Sequence, residues 1–351
     1  MLRGPGDLAY WLTPEFFLQG AFITCAQTGD ILLGKGGEVT HTQDLNCDAA
    51  FYLKDFYQSR YICYRPIEWL KTSRSDLLKA LKDSEQVPPI TSSKTFDDLY
   101  AKDFELLKSS FNANLEKVVL ISREEFQLND PLKARAAFFQ KALSFGAGMP
   151  YGLWFDGYGV VGSTPELLYH LKENNLTTFA LAGTNRQGHE QELLNSDKDR
   201  HEHNLVIDDI KEKLAPFCTQ IESMQTGITN YKEMIHLRTD IKATLNKIEE
   251  LSTLTSSLSP TAALGGYPKE KALLFLQATT YGKLHPERYF GSAMGVLTKD
   301  IKQFVVSIRN IQWRNDLFFI ESGGGVLPES NLEKELDEVR LKRATIKKHY
   351  L

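Results

Sequence analysis

Nothing in this sequence approaches the roughly 18–20 consecutive apolar residues that a helix needs to cross a bilayer. The opening residues, MLRGPGDLAYWL, lack the apolar core of a secretory leader. Cysteine is scarce: Cys25, Cys47, Cys63 and Cys218 are the full set, with no CxxC or CxxH spacing. That excludes a disulfide scaffold or a cysteine-based zinc module and fits reduced thiols in a cytoplasmic protein. Basic blocks are missing as well, and the net charge is −4, so neither nucleic acid nor an anionic membrane is an expected partner. Internal repeats and low-complexity tracts are absent.

What remains is ordinary globular composition, 42% hydrophobic and 25% charged over 351 residues, enough for one large domain or two small ones. AFITC (21–25) and DILLG (30–34) form an expected hairpin, and 66–83 reads as a helix. Gln86–Ser93, with two prolines and two serines, is the best internal linker, dividing a region 1–92 from a region 93–351. Beyond it, Phe96, Leu99, Tyr100, Leu107 and Phe111 fall at helical spacing over 96–112, and KVVLISR (117–123) reads as a strand. Asp130–Pro131 is an N-cap and first-turn pair for a helix reaching Phe145. Residues 152–162 make a hairpin turning on Asp156–Gly157. STPELLYHL and LTTFALAGT read as strands, 197–214 as a helix, and 289–321 as three more strands. Hairpin-linked groups of strands with helices between the groups predict an α+β fold with largely antiparallel sheets.

Two stretches carry chemistry. In SGGGVLPESNLEKELDEVRLK (322–342), three glycines precede a carboxylate-rich helix that Ser330 or Asn331 can cap. Glycines Gly323, Gly324 and Gly325 let a backbone turn its N–H groups toward an anion. Glu335, Glu338 and Lys342 share one helix face. In DKDRHEHNLVIDDI, the apolar line Val206–Ile210–Leu214 runs back to Glu202, a carboxylate that needs a partner if it faces inward. His201 and His203 are two apart and point to different helix faces, so zinc is a poor fit. Glu202 with Glu335 and Glu338 suits Mg²⁺, which takes few carboxylates and completes its shell with water and substrate oxygens.

Three further residues stand out. Lys117 opens a buried strand, where desolvation can make a lysine a base, and Glu166 follows Thr164–Pro165 as a possible acid partner. Arg309 lies in the apolar FVVSIRNIQW, where it should meet a carboxylate. LSPTAALGGYP (258–268) is a small-residue loop of the kind that lets a flat ring lie close.

GSTPELL, ALAGTNRQG, SDKDRHEHNLVIDDI, HLRTDIKATL, LSPTAALGGYP, RYFGSAMGVL, VSIRN and the glycine–carboxylate stretch recur in the order of the chorismate-binding enzymes. The resemblance runs from about Phe96 to the C-terminus. It implies antiparallel sheets sandwiched together with helices outside and a Mg²⁺ site. It also implies chorismate as substrate, Lys117 as the base that activates water, and Glu166 as the acid on the departing C4 hydroxyl. Glu202 and Glu335 would bind Mg²⁺, with Glu338 nearby or through water. Arg309, Lys342 and the Gly323–Gly325 amides would hold carboxylates, while Thr184 and His236 line the pocket. Lysine at 117, where aminating members usually have glutamine, and Ala263, where they usually have threonine, resemble the menaquinone-type isochorismate synthases. No obligatory glutaminase subunit is then expected. A salicylate synthase and an aminating large subunit are the alternatives, and menaquinone and siderophore pathways both remain open. Ser259, Ala243 and Asn185–Arg186 depart from the usual family residues.

Overall fold

A computed structural model describes residues 8–41, 48–81, 86–111, 115–232, 234–247 and 251–351. Two ten-stranded sheets lie face to face, and each pairing among the described strands is antiparallel. In the first, the central order brings Lys117–Leu128, Leu317–Val326, Asn310–Arg314, Tyr158–Thr164 and Met149–Phe155 side by side. The second places Met234–Leu245, Asn175–Arg186, Leu167–Lys172, Lys302–Val306 and Ala293–Thr298 in the same way. The fold is α+β, with the helices outside.

Three apolar layers follow. Between the sheets, Ile23, Leu153 and Val160 of the first meet Phe51, Val296 and Val305 of the second. Outside the first sheet, Phe16, Phe139 and Trp154 pack edge to face with centroids 5.1–6.3 Å apart, and Phe138, Trp313, Phe318 and Tyr350 extend the layer. Outside the second, Val206, Ile210 and Leu214 of the helix Asp197–Leu214 cover Leu168, Leu171 and Leu176.

Several local rules operate as expected. Asp130 accepts from the Lys133 amide and Pro131 opens the helix Pro131–Ser144. The hairpin at Asp156–Gly157 has positive φ at both central residues, 44° and 75°, which suits the twist of the flanking strands. Ser196 caps the helix Asp197–Leu214, and Asn331 caps Leu332–Tyr350. The first hairpin forms as Gly20–Thr24 against Ile31–Lys35. Cys25, Cys63 and Cys218 are free thiols; Cys47 lies outside the described residues.

Four expectations need correction. Residues 66–83 do not form one helix: Glu68–Thr72 is a strand paired with Ile31–Lys35, and the helix begins after the Ser73 cap at Arg74. The linker candidate ends in the strand Ile90–Thr95, which pairs with the Lys117 strand. Strands from residues 20–72 therefore sit in the same two sheets as those after residue 117. Residues 289–321 contain the starts of four strands, and the chain changes sheet between Val306 and Asn310. Finally, the three glycines belong to the strand Leu317–Val326, with Gly323 opposite Ile121, Gly324 opposite Leu120 and Gly325 opposite Val119. They form no turn.

Candidate active site

The site opens where the first sheet splits. Leu317–Phe319 pair with Gln312–Arg314, but beyond Phe319 the glycine strand is paired only with the Lys117 strand. Its other neighbour departs through Ser307–Arg309 to the second sheet. Arg309 sits at this corner with φ of 55°, a left-handed conformation that a non-glycine residue rarely adopts, and not within a strand as FVVSIRNIQW suggested. It is buried, and its Nη1 has no partner. Burial pushes its pKa down, opposed by Tyr231 and by the carboxylates Glu166 and Glu338.

The gap leads into a cavity enclosing about 670 Å³ of space, its open mouth included. Glu166, Thr184, Glu202, His236, Ala263, Arg309, Gly323, Gly325, Glu338 and Lys342 all line it. Ten of the thirteen residues singled out in the sequence thus converge; Lys117, Gly324 and Glu335 do not reach its surface.

Lys117 lies immediately behind the wall. It is fully buried, and its Nζ is 2.8 Å from Glu202 Oε1, an ion pair off the usual hydrogen-bond direction. Burial pushes the Glu202 pKa up, but Lys117, Lys198 and Lys342 outweigh it, so the carboxyl is held below its ordinary range. Gly325 makes the contact possible. A Cβ there would stand 2.3 Å from Glu202 Oε1 and 2.8 Å from Lys117 Cε.

The strand also restricts which glycine amides can serve a ligand. Lys342 Nζ donates to the Gly323 carbonyl at 3.0 Å, so the polar groups of Gly323 point out of the ladder toward the cavity. In a strand this direction alternates, so Gly325 shares it and Gly324 does not. The expected nest of three successive amides is therefore absent, because a strand cannot aim consecutive N–H groups one way.

The three glutamates also separate. The side chains of Glu202 and Glu338 are 14% and 30% exposed, whereas Glu335 is 2% exposed and packs behind the glycine strand, close to Gly324. Glu335 Oε1 accepts from Lys198 Nζ at 2.5 Å and Ser330 Oγ at 2.7 Å, while its Oε2 has no partner. Burial and then Glu338 raise its pKa. Glu338 pairs with Lys342 at 2.6 Å. Lys198 is the cation that Glu335 pairs with. It stands one helical turn before Glu202, the i, i+4 spacing that puts both on one face.

Glu166 and His236 are tuned in opposite directions. Burial pushes Glu166 up to about 7, despite Arg309, Lys342 and Lys117. Burial, with Arg309 and Lys342, pushes His236 down to about 3, so its ring is neutral. His236 Nδ1 lies 3.2 Å from the Gly183 carbonyl and 3.1 Å from Thr184 Oγ1. Since a carbonyl only accepts, Nδ1 carries the proton and the unpartnered Nε2 is an acceptor. Gly183, at φ 72°, is the bulged residue that shifts the register between Ala182 and Thr184 and so re-aims Thr184. His203, by contrast, is spent on Thr239 Oγ1 at 2.8 Å.

The chain matches the profile of the chorismate binding enzymes over residues 45–349, and it belongs to that family. Isochorismate synthase MenF of Escherichia coli is 29% identical over 250 residues, covering 68% of this chain and 57% of that protein. Anthranilate synthase component 1 of Saccharolobus solfataricus is 27% identical over 208 residues, covering 56% of this chain and 48% of that protein. The chain spans about half the length of these curated relatives. Among solved structures, the menaquinone-specific isochorismate synthase MenF from Escherichia coli gives a TM-score of 0.84 at 20% identity, over 99% of this chain and 92% of that one. A putative 2,3-dihydroxybenzoate-specific isochorismate synthase, DhbC from Bacillus anthracis, gives 0.79 at 19% identity, over 98% and 99%. These likenesses establish a shared fold. Among the described residues no helix is long and apolar enough to cross a membrane.

Proposed function

We propose that this chain is an isochorismate synthase, converting chorismate to isochorismate by adding water at C2 of the ring as hydroxide leaves C4. The observation that carries the reading is a carboxyl on the cavity wall raised to about 7, with a fully buried lysine directly behind that wall. One can take a proton while the other gives one. Lys117 is the base for water, and Glu166, about half protonated near neutrality, is the acid for the departing hydroxyl. Arg309 and Lys342 meet the substrate carboxylates, assisted by the Gly323 and Gly325 amides. Neutral His236 offers Nε2 to a substrate hydroxyl and Thr184 fixes its ring. Ala263 leaves room against the ring face.

The carboxylates suit Mg²⁺. Among the described residues no three of His, Cys, Asp and Glu converge as a ready metal cluster. However, Glu202 and Glu338 face the same cavity, Glu335 Oε2 is unpartnered behind them, and Asp199 is raised by burial, then by Glu202 and Glu338. Glu202 and Glu338 are each paired with a lysine that a cation can displace, and such oxygen donors suit a hard cation that takes few protein ligands. Glu202 and Glu338 would hold it, with Glu335 supporting through Lys198. When bound, the ion supplies charge stabilisation to the ring carboxylate.

The test is the product formed from purified chain, chorismate and Mg²⁺, followed by chromatography. Isochorismate is the expected product. Stoichiometric salicylate with pyruvate would move the chain to the salicylate synthases, and no conversion would remove the activity.

A further inference from the structure

A second cleft shares Glu321 with the active-site cavity as a wall residue. Four residues lining it carry buried polar atoms without a partner: Arg288 Nη1, Arg123 Nε, His285 Nε2 and Tyr158 Oη. All four are donors. Arg123 Nη1 approaches His285 Nδ1 at 3.4 Å, and since an arginine only donates, Nδ1 accepts and Nε2 carries the hydrogen. The phenol of Tyr158 can donate as well.

The acceptors nearby are already engaged. Glu321 accepts from Tyr281 Oη and from Gln312 Nε2 at 3.0 Å, and lies 3.6 Å from Arg123 Nη1. Glu125 pairs with Arg123 at 2.9 Å, and at the rim Glu287 pairs with Arg60 and Arg314. Arg288 is different. Its side chain is 1% exposed and lies over the Phe56 ring at 3.5 Å. Its Nε and Nη2 donate to the carbonyls of Phe290 and Leu264, at 2.9 and 3.3 Å. The Tyr57 phenol also lies within its reach, but no carboxylate among the described residues pairs with it. A guanidinium buried without a counter-ion is costly, and unpartnered donors beside it compound the cost.

We propose that this cleft binds a small monocarboxylate carried on a flat apolar body. A carboxylate supplies the acceptors that Arg288, His285 and Tyr158 lack, and charge-assisted bonds to buried arginine are strong. Leu284, Pro286 and Phe319 provide the apolar walls. Glu321 and Glu287 disfavour a ligand of higher negative charge. Because Glu321 leads directly into Ser322 and Gly323 of the active-site wall, occupancy of the cleft bears on that wall.

Benzoate is the probe, and benzamide its neutral counterpart of the same shape. Calorimetric titration of the full chain should show saturable benzoate binding with benzamide at least about tenfold weaker, the scale of one charge-assisted hydrogen bond. Arg288→Met and His285→Phe should each weaken benzoate by about tenfold or more, while Arg309→Met, in the other cavity, should not. His285→Phe preserves a ring between Tyr281 and Phe96, so it decides the matter if Arg288→Met fails to fold. Loss of binding in Arg309→Met with retention in His285→Phe places benzoate in the active-site cavity and overturns the proposal. Equal binding of benzamide, or no saturable binding of benzoate, overturns it too.

Discussion

Lys117 and Glu202 meet at 2.8 Å across a position where the chain has no side chain, Gly325. Lysine comes from the strand Lys117–Leu128, glutamate from the helix Asp197–Leu214, and the glycine strand runs between them. The proposed base and proposed metal ligand thus restrain each other. Paired with Glu202, Lys117 is an ammonium without a lone pair and must give up a proton before it can take one from water, and a cation drawn to Glu202 and Glu338 competes for that carboxylate.

Gly325→Ala tests this arrangement directly. Its Cβ would overlap both partners, whereas a Cβ at Gly324 meets nothing closer than 3.3 Å. Misplacement of reacting groups by about 1 Å costs on the order of 10²-fold in rate. Gly325→Ala should therefore lose about that much kcat/KM while its circular dichroism stays native, and Gly324→Ala should lose much less. Equal losses in the two variants would mean that strand packing, not the Lys117–Glu202 contact, is what the glycines protect.

The pH dependence follows from Glu166, raised by burial to about 7. An acid catalyst works protonated, so Glu166 should make kcat/KM fall as pH rises through 7. His236, at about 3, is neutral throughout that range and adds no limb there. Stability has its own sign. With the folded pKa above the unfolded one, the unfolded chain ionises first, so Glu166 costs stability as pH rises from about 4.5 toward 7, and the cost stays constant above. Glu166→Gln should accordingly lose activity yet melt higher than the parent at pH 8, with the difference vanishing near pH 4. A melting difference that does not change with pH would show that Glu166 is not raised.

Metal dependence separates the three glutamates. Excess chelator should abolish turnover and Mg²⁺ restore it. In calorimetric titration with Mg²⁺, Glu202→Gln and Glu338→Gln should each weaken binding by at least about tenfold. Glu335→Gln should act less, since Glu335 is engaged by Lys198 and Ser330 behind the strand. Full activity in chelator would remove the ion from the mechanism. A Glu335 effect exceeding that of Glu338 would reverse the assignment of ligand and support.

What could be read from sequence was what depends on local pattern. The helix Asp197–Leu214 announces itself by the line through Glu202, Val206 and Ile210, and the turn at Asp156–Gly157 by residues that tolerate positive φ. Less legible was anything decided by a distant neighbour. Phe304 to Trp313 looks like one apolar strand because both halves are buried, yet they belong to different sheets and Arg309 is the corner between them. Glu335 and Glu338 share a helix face in sequence, and only packing against the glycine strand separates a buried carboxylate from one at the cavity. The glycine run reads as a loop because glycine usually marks one. Here it is a strand whose missing side chains admit Glu202 and Lys117 from one face and Glu335 from the other.

The nucleophile is the last question, and Lys117 decides it. Water gives up its proton reluctantly and needs a positioned base, whereas ammonia is already a nucleophile when it reaches the ring. Lys117→Ala should therefore lose isochorismate formation by ~10²–10⁴-fold, the range for a positioned base, with KM for chorismate changed far less. Ammonium should rescue neither the parent nor the variant into efficient amination. Ala263 brings no hydroxyl to the cavity. The measurement is chromatography of products from chorismate and Mg²⁺, with and without ammonium. Near-parental isochorismate formation in Lys117→Ala would reduce Lys117 to a counter-ion for Glu202. An aminated product that grows with ammonium in the parent would mean that the cavity accepts either nucleophile, and that the lysine does not select water.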